Sequence, residues 1–477
     1  MLQRVKNYFR RKLPVEVLAF YGAVHKDLRG NIATRIEKIQ AQEFSSLIAR
    51  LKLEGKTLEA IERIKIEFKS RPEGYDRRWV LHYLGTVLWQ HGRWDDAFDI
   101  ILEYEQRKQS IIESYGHDNF LYRFINSDFA PIGHTALLDT FIKLSVLGFL
   151  PSWKLLIQKN EHFANRALLD KMAQFFQYTN LRREDFSAEL YDSLVLPISL
   201  IPFNDGSWRS LPEAAAIAEQ EWAAQKRGPV LSLTAEESHK GRKALALLGI
   251  PEDAWFVAVH VRHSPWCGKN LCNVDINTYL PAFRLIVEKG GYVVRIGDNR
   301  MPMLPEMDKV IDLAHHQAKN EFLHMYVIAA CKFFIGTSSG PLSVPQCFGV
   351  PVLWTNAWLC MSHGIPNLVR VPILYKDPAG KLIRIDDLMT REFRFCSNRS
   401  TLIHNGMIPV DNTSDDICRA VEEMFARVEG GFDISNEYDQ LQKEWRGIAD
   451  RSMQRYVTMG KLEPVSYDFA KKFAFIL

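Results

Sequence analysis

Short apolar runs alternate with amphipathic segments along most of the chain after residue 120. The apolar runs are rich in β-favouring residues and are bounded by turn-forming residues, which is typical of buried strands. They predict strands at 120–125, 153–158, 194–203, 255–261, 292–296, 310–313, 333–335, 350–355 and 368–374. The intervening segments predict helices at 136–147, 161–176, 211–225, 235–248, from 275 or 277 to 288, 320–330 and 416–428. Strands that alternate with helices indicate parallel sheets, so the predicted fold class is α/β.

The chain has 477 residues, more than one hydrophobic core normally supports. The pattern divides it into a helical region at 1–112 and a Rossmann-like domain at 113–228. A second Rossmann-like domain follows at 229–430, and charged helices occupy 431–477.

The helical region carries the spacing of small and large residues that is typical of a tetratricopeptide repeat. The matching positions are Leu81, Leu84, Gly85, Leu88, Gly92 and Ala97. The match covers about one and a half repeats, and so few repeats cannot bury a core alone. We therefore expect this region to pack on the α/β body or on a protein partner.

Composition narrows the class of protein. Apolar residues make up 47% and charged residues 25%, with a net charge of +3, so no overall field favours a nucleic-acid partner. No apolar run approaches the roughly 18 residues of a membrane span, and no signal peptide is recognisable. The seven cysteines are then expected as free thiols in the cytoplasm.

A basic cluster near the N-terminus leaves two interpretations open. The segment from Arg4 to Lys12 could lie on an anionic membrane surface, or it could be an ordinary solvated helix. Any membrane contact is therefore expected to be peripheral, at the inner face.

The sequence of the stretch 331–358 predicts a strand, a turn, a short helix and a second strand. Its turn, Gly336-Thr337-Ser338-Ser339-Gly340, precedes a predicted helix of about two turns at 342–348. A glycine- and serine-rich turn that opens a helix presents backbone N–H groups to a phosphate. The alternative is a plain turn between strand and helix, in which glycine serves only the geometry.

A second polar group ends the predicted strand at 255–261. His260 and Arg262 alternate with valines and therefore share one face. Ligands of open parallel sheets bind at the carboxyl ends of the strands, where an arginine fork suits a diphosphate. The alternative is that Arg262 pairs with a surface carboxylate and His260 is hydrogen-bonded in the fold.

These motifs together carry a resemblance. His-Val-Arg at 260–262, Gly297-Asp298 at a strand end and the 336–340 turn resemble GT-B glycosyltransferases over about residues 118–430. The chain is similar to a bacterial family found with surface-polysaccharide genes, and its donor motifs to fucosyltransferases and protein O-fucosyltransferases. The resemblance implies two Rossmann-like domains that face a cleft. Gly340-Pro341 departs from the fucosyltransferase pattern, which leaves the sugar open.

The resemblance also implies roles for single residues. Arg262 and His260 would hold the donor phosphates together with Gly336, Thr337, Ser338, Ser339 and Gly340. Asp298 and Glu321 would be candidates for contacts to the ribose or base. His134 would be the general base on an acceptor hydroxyl, although a helix-capping histidine is nearly as good an interpretation. No Asp-x-Asp motif is present, so neither a metal nor another cofactor is expected.

The function predicted is therefore transfer of a sugar from a nucleotide donor to a hydroxyl of a glycan, lipid-linked or protein acceptor. Two alternatives stay open at this stage. One is a non-catalytic scaffold protein that binds partners through its repeats, and the other is a sugar-nucleotide epimerase of the same fold.

Overall fold

The computed structural model describes residues 94–116, 122–159, 161–263, 270–358, 365, 367–391, 396–451 and 463–476, together with 59, 62, 63, 66 and 88. The chain divides into two compact units, Met1–Leu84 and Gly85–Leu477. The basic segment at 4–12 and nearly all of the predicted repeat at 81–92 lie outside the described residues. The elements below belong to the second unit, and the domain boundaries proposed above stay predictions.

One part of this unit, called the first domain below, is organised around a parallel sheet of three strands in the order β1-β2-β3. These are β1 (Tyr122–Ile125), β2 (Lys154–Gln158) and β3 (Gln177–Thr179). The helix that precedes the sheet is α1 (Trp94–Ser114), most of which falls in the predicted helical region 1–112. The helices that follow are α2 (Ile132–Ala136), α3 (Leu138–Val146), α4 (Arg166–Met172), α5 (Ala188–Leu194) and α6 (Leu211–Ala224). Helix α1 packs on α5 through a buried cluster that contains Ile112, Phe124 and Leu194.

Two predictions for this domain were wrong in detail. The apolar segment 194–203 is not one strand, because α5 ends at Leu194 and only β4 (Leu200–Pro202) is extended. Strand β4 forms an antiparallel hairpin with β5 (Trp208–Ser210), outside the parallel sheet. The helix predicted at 161–176 is confined to α4 and a following 3-10 turn, Ala173–Phe175, since Asn165 caps its start.

The second domain contains a parallel sheet of six strands, as the alternating pattern predicts. Its strands are β6 (Phe256–His260), β7 (Tyr292–Arg295), β8 (Val310–Asp312), β9 (Phe334–Gly336), β10 (Val352–Ala357) and β11 (Leu368–Pro372). They lie in the order β11-β10-β9-β6-β7-β8, so the direction of winding reverses between β6 and β9. A crevice at the carboxyl ends of the two strands on either side of such a reversal is where ligands bind.

Helices cover this sheet, and their starts follow the predicted capping residues. They are α7 (Ala235–Ala246), α8 (Leu280–Glu288), α9 (Glu321–Ala330) and the single turn α10 (Val344–Cys347). Thr234 and Glu237 form the predicted capping box of α7, and Asn320 caps α9. Asp275 caps a 3-10 turn, Ile276–Tyr279, which leads into α8.

The C-terminal part packs on the second domain. It contains the antiparallel pair β12 (Leu374–Lys376) and β13 (Ile408–Val410), and the helices α11 (Ile385–Thr390), α12 (Arg399–His404), α13 (Ser414–Val428), α14 (Asn436–Arg451) and α15 (Tyr467–Lys472). One hydrophobic core runs through both α/β domains and reaches Ile476. The α/β fold class is confirmed.

Candidate functional site

The ends of β6 and β9 are joined directly by hydrogen bonds. His260 lies opposite Gly336 in the register of the two strands. The backbone N–H of Thr337 donates to the carbonyl of His260 at 3.2 Å, and the backbone N–H of Arg262 donates to the Thr337 hydroxyl at 3.0 Å. The two predicted motifs, far apart in sequence, are therefore adjacent in the fold.

Three residues of the 336–340 turn serve the fold. Thr337 is fully buried, and its hydroxyl accepts the hydrogen bond from the backbone N–H of Arg262. Ser338 is buried too, and its hydroxyl accepts a hydrogen bond from the Trp354 indole at 3.0 Å. A Cβ on Gly336 would lie only 2.7 Å from the Leu342 side chain, so this glycine is required by packing. Ser339 and Gly340 are the members of the turn that line a pocket.

The helix after the turn is shorter than the prediction for 342–348. A 3-10 turn, Gly340–Ser343, precedes the single helical turn α10. Pro341 and Pro345 lie in these turns and have no backbone N–H to donate. The short length of α10 matters for the electrostatics of the site, because one helical turn supplies only a small dipole.

The pocket of about 480 Å³ lies between the two domains of the second unit. The first domain contributes Pro131, Ile132, Gly133, His134 and Ala164. The polar lining from the second domain consists of His260, Arg262, His263, Asp298, Arg300 and Ser339. Two guanidinium groups against one carboxylate favour an anionic ligand.

His260 is a buried histidine at the end of β6. Its Nδ1 lies 2.9 Å from the hydroxyl oxygen of Ser339, which donates to the carbonyl of Thr337 at 3.1 Å. The pKa of His260 is lowered to about 3, mainly by burial and in addition by the nearby cations Arg295 and Arg262. His260 is therefore neutral at physiological pH, so it adds no charge to the pocket.

His134 approaches the pocket from the first domain on α2. Its ring is exposed, and its Nδ1 lies 2.6 Å from the carbonyl oxygen of Asp128. A carbonyl oxygen can only accept, so Nδ1 carries a hydrogen, and in the neutral ring Nε2 is the nitrogen with the lone pair. This tautomer is the one that a general base requires at Nε2.

Two glycines bring the domains into backbone contact at the pocket. A Cβ placed on Gly133 would lie 2.4 Å from the Cα of Gly340 and 2.8 Å from its carbonyl oxygen. A Cβ on Gly340 would lie 3.0 Å from the backbone nitrogen of Gly133. The absence of a side chain at both positions is what allows helix α2 and the turn to touch.

The structure places the two predicted nucleotide contacts differently. Asp298 lines the pocket and is held by Arg300, whose Nη2 lies 2.6 Å from its Oδ2. Hydrogen bonds from Arg300 lower the pKa of Asp298 to about 2. Glu321 does not line the pocket: its carboxylate accepts from the backbone N–H of Arg166 at 2.6 Å, and its carbonyl from the Asn165 side chain at 3.0 Å.

Sequence reasoning did not single out Arg300 as a site residue. Its position two residues after Asp298, at the end of a strand beside the predicted site, was the available signal. Ile132, Ala164 and Met301 also line the pocket, but nothing in their chemistry or spacing marks them in advance.

A larger groove of about 1310 Å³ lies at the opposite, amino-terminal edge of β10 and β11. Its lining is mainly apolar, and two of its charged groups are paired within the fold. Arg427 pairs with Glu423, and Glu463 pairs with the buried Arg370. The smaller pocket is the better candidate, because it collects histidines and arginines at the carboxyl ends of strands.

Clusters of metal ligands and membrane-spanning helices are absent from the part of the chain that the structure describes. Within the described ranges, no three His, Cys, Asp or Glu side chains come together as a set that could hold a metal ion. No helix among the described residues is both long and apolar enough to cross a bilayer.

Comparisons with known proteins give limited information. No family model and no curated protein matches the chain. A glycosyl transferase of family 9 from Veillonella parvula aligns with a TM-score of 0.38 and 9% identity, over 64% of this chain and 98% of that one. ADP-heptose LPS heptosyltransferase II from E. coli gives 0.40 and 12%, over 65% and 99%. Such low values carry no conclusion about chemistry, and the likeness to fucosyltransferases stays a prediction.

Proposed function

We propose that this protein is a glycosyltransferase that moves a sugar from a nucleotide-diphosphate donor to an acceptor hydroxyl. The observation that carries the proposal is the pocket at the reversal point of the six-stranded sheet. It sets Arg262 and Arg300 on one wall and His134, with Nε2 available, on the other. A cationic wall suits a leaving diphosphate, and a facing base suits an attacking hydroxyl.

Roles follow from these positions. Arg262 and Arg300 bind the diphosphate, assisted by the backbone N–H groups of Ser339 and Gly340. Asp298 holds the Arg300 guanidinium in place and remains a candidate for a ribose contact. Glu321 has no part in nucleotide binding in this proposal, because both of its acceptor groups are used by Asn165 and Arg166.

In the chemical step, each bond that forms or breaks and the transferred proton can be assigned to a group. The acceptor oxygen forms a bond to the anomeric carbon of the sugar while the bond from that carbon to the phosphate oxygen breaks. The hydroxyl proton passes to Nε2 of His134, and the nucleoside diphosphate leaves with the bonding electrons. We propose a glycan, lipid-linked or protein acceptor, in synthesis of bacterial surface polysaccharide or another glycoconjugate at the cytoplasmic side.

A nucleotide-binding test decides between this function and a scaffold role. We expect one of UDP, GDP, ADP, TDP or CMP to raise the melting temperature. At about 100 times its dissociation constant the ligand should stabilise the protein by about 2.7 kcal/mol. Arg262→Ala should weaken that ligand roughly tenfold or more, since a charge-assisted contact contributes about 1.5–3 kcal/mol.

Arg419→Ala is the matched control, because Arg419 is an exposed arginine on α13 that pairs with Asp415 and does not line the pocket. A panel without any stabilising nucleotide contradicts the proposed function. Equal affinity of the Arg262→Ala and Arg419→Ala proteins contradicts the role of Arg262. Conversion of a sugar nucleotide without an acceptor would favour the epimerase alternative.

Metal removal provides a separate test. We expect turnover to persist in excess EDTA, because Arg262 and Arg300 can neutralise the leaving diphosphate without a divalent ion. The measurement is turnover with EDTA, then with added Mg²⁺ or Mn²⁺. Loss of activity that either ion restores would show this expectation to be wrong.

A further inference from the structure

The hydrogen bonds around His260 fix which of its ring nitrogens carries a proton. The Ser339 hydroxyl has one hydrogen, and it donates that hydrogen to the carbonyl of Thr337 at 3.1 Å. Its oxygen is therefore the acceptor in the 2.9 Å contact with Nδ1 of His260. Nδ1 bears the hydrogen, and Nε2 has a lone pair and no hydrogen.

The other ring nitrogen is available to a ligand. His260 lines the pocket, and among the described residues Nε2 has no hydrogen-bond partner. The ring stays neutral near pH 7, because its pKa is lowered to about 3. Burial is the largest cause, and the positive charges of Arg295 and Arg262 act in the same direction. His260 therefore offers the pocket an acceptor and not a cation.

An acceptor does not suit a phosphate, because phosphate oxygens are acceptors as well. The group that matches Nε2 is one that donates a hydrogen, and a sugar nucleotide has hydroxyl groups for this purpose. His260 is the last residue of β6, two residues before Arg262, so a hydroxyl bound there lies next to the proposed diphosphate position.

We propose that Nε2 of His260 accepts a hydrogen bond from a hydroxyl of the bound sugar nucleotide, and that His260 is not a phosphate ligand. The inference rests on the proposed function and refines it. The hydroxyl belongs either to the transferred sugar or to the ribose. In this arrangement Arg262 and Arg300 bind the diphosphate, while His260 binds a sugar hydroxyl.

His260→Ala and His260→Gln separate these possibilities. The first removes the acceptor, and the second can return an amide oxygen near the position of Nε2. Calorimetry would use the stabilising nucleoside diphosphate, the same nucleotide linked to its sugar, and the 2′- and 3′-deoxy forms of the nucleoside diphosphate. Arg262→Ala serves as the comparison for a phosphate contact. Melting temperatures verify that each variant is folded.

We expect His260→Ala to bind the nucleotide sugar about three- to tenfold more weakly, as for one neutral hydrogen bond. Binding of the nucleoside diphosphate should change little if the hydroxyl is on the transferred sugar. If it is on the ribose, the deoxy form that lacks it should bind the wild-type and variant proteins equally. His260→Gln should recover part of the loss, and Arg262→Ala should weaken every probe.

Two binding results would overturn this inference and leave the proposed function intact. One is an equal loss for all probes, deoxy forms included, which indicates a phosphate contact. The other is unchanged binding of every probe by His260→Ala. In the free protein, ¹⁵N NMR should show Nε2 unprotonated at neutral pH, and a protonated Nε2 would also contradict it. Failure of every nucleotide to bind the wild-type protein would contradict both the inference and the proposed function.

Discussion

Replacement of Gly133 with alanine should lower kcat by about 100-fold. The new Cβ would lie 2.4 Å from the Gly340 Cα, where ordinary contacts begin at 3.4 Å, so the two backbones must separate by about an ångström. Both sides are main chain, so no side-chain rotation relieves the clash. A displacement of that size between a base and its substrate costs on the order of 100-fold in rate. Overpacking should also destabilise the protein by about 1–3 kcal/mol.

The matched control is Gly228→Ala. A Cβ at Gly228 meets nothing within 4 Å, so this variant should keep both its activity and its melting temperature. The measurements are kcat, the melting temperature and nucleotide affinity. Nucleotide affinity should survive in the Gly133 variant, because the proposed diphosphate ligands belong to the other domain. Full turnover by Gly133→Ala would show that the glycine contact does not set the spacing of the pocket.

Replacement of His134 should have the largest effect on turnover. General-base catalysis contributes typically about 10²–10⁴-fold, so His134→Ala should lose that factor in kcat. His134→Asn should be equally inactive, because its amide can still donate to the carbonyl of Asp128 but supplies no basic nitrogen. Nucleotide affinity should remain close to that of the wild-type protein in both variants.

His404→Ala is the control for this experiment, since His404 is an exposed histidine at the end of α12 and does not line the pocket. Initial rates at saturating donor and acceptor give the comparison. A His134→Ala protein with wild-type kcat would remove His134 from the mechanism and leave the helix-cap interpretation of this residue.

The periodicity of the sequence was sufficient to predict a parallel sheet, which the structure shows with six strands. Strand β6 and strand β9 are both apolar, and parallel strands bring their carboxyl ends to one edge. That reasoning placed His260 and Arg262 at the end of one predicted strand and the 336–340 turn at the end of another. The prediction of the strands succeeded because strand identity depends on the local pattern of residues. The position of a strand end in the fold then follows from the topology of the sheet.

Contacts between distant segments could not be predicted in this way. No local sequence pattern indicates that the Ser338 hydroxyl accepts a hydrogen bond from the Trp354 indole. Nor does one indicate that the backbone of Gly133 leaves little room for a side chain at Gly340. The same limit applies to Glu321, whose hydrogen-bond partners are 155 and 156 residues away in the sequence. Each assignment depends on which surfaces meet, and a single sequence carries no pattern for that.

The connection at Glu321 has a consequence for protein engineering. Helices α4 and α9 belong to different domains, yet Glu321 receives hydrogen bonds from Asn165 and Arg166 at the start of α4. Lys171 and Glu237 add a second link at 2.5 Å. A chimera that joins one of these domains to a foreign partner would have to carry both sides of these pairs. The practical unit of recombination for altering the acceptor is therefore a set of lining side chains, and not a whole domain.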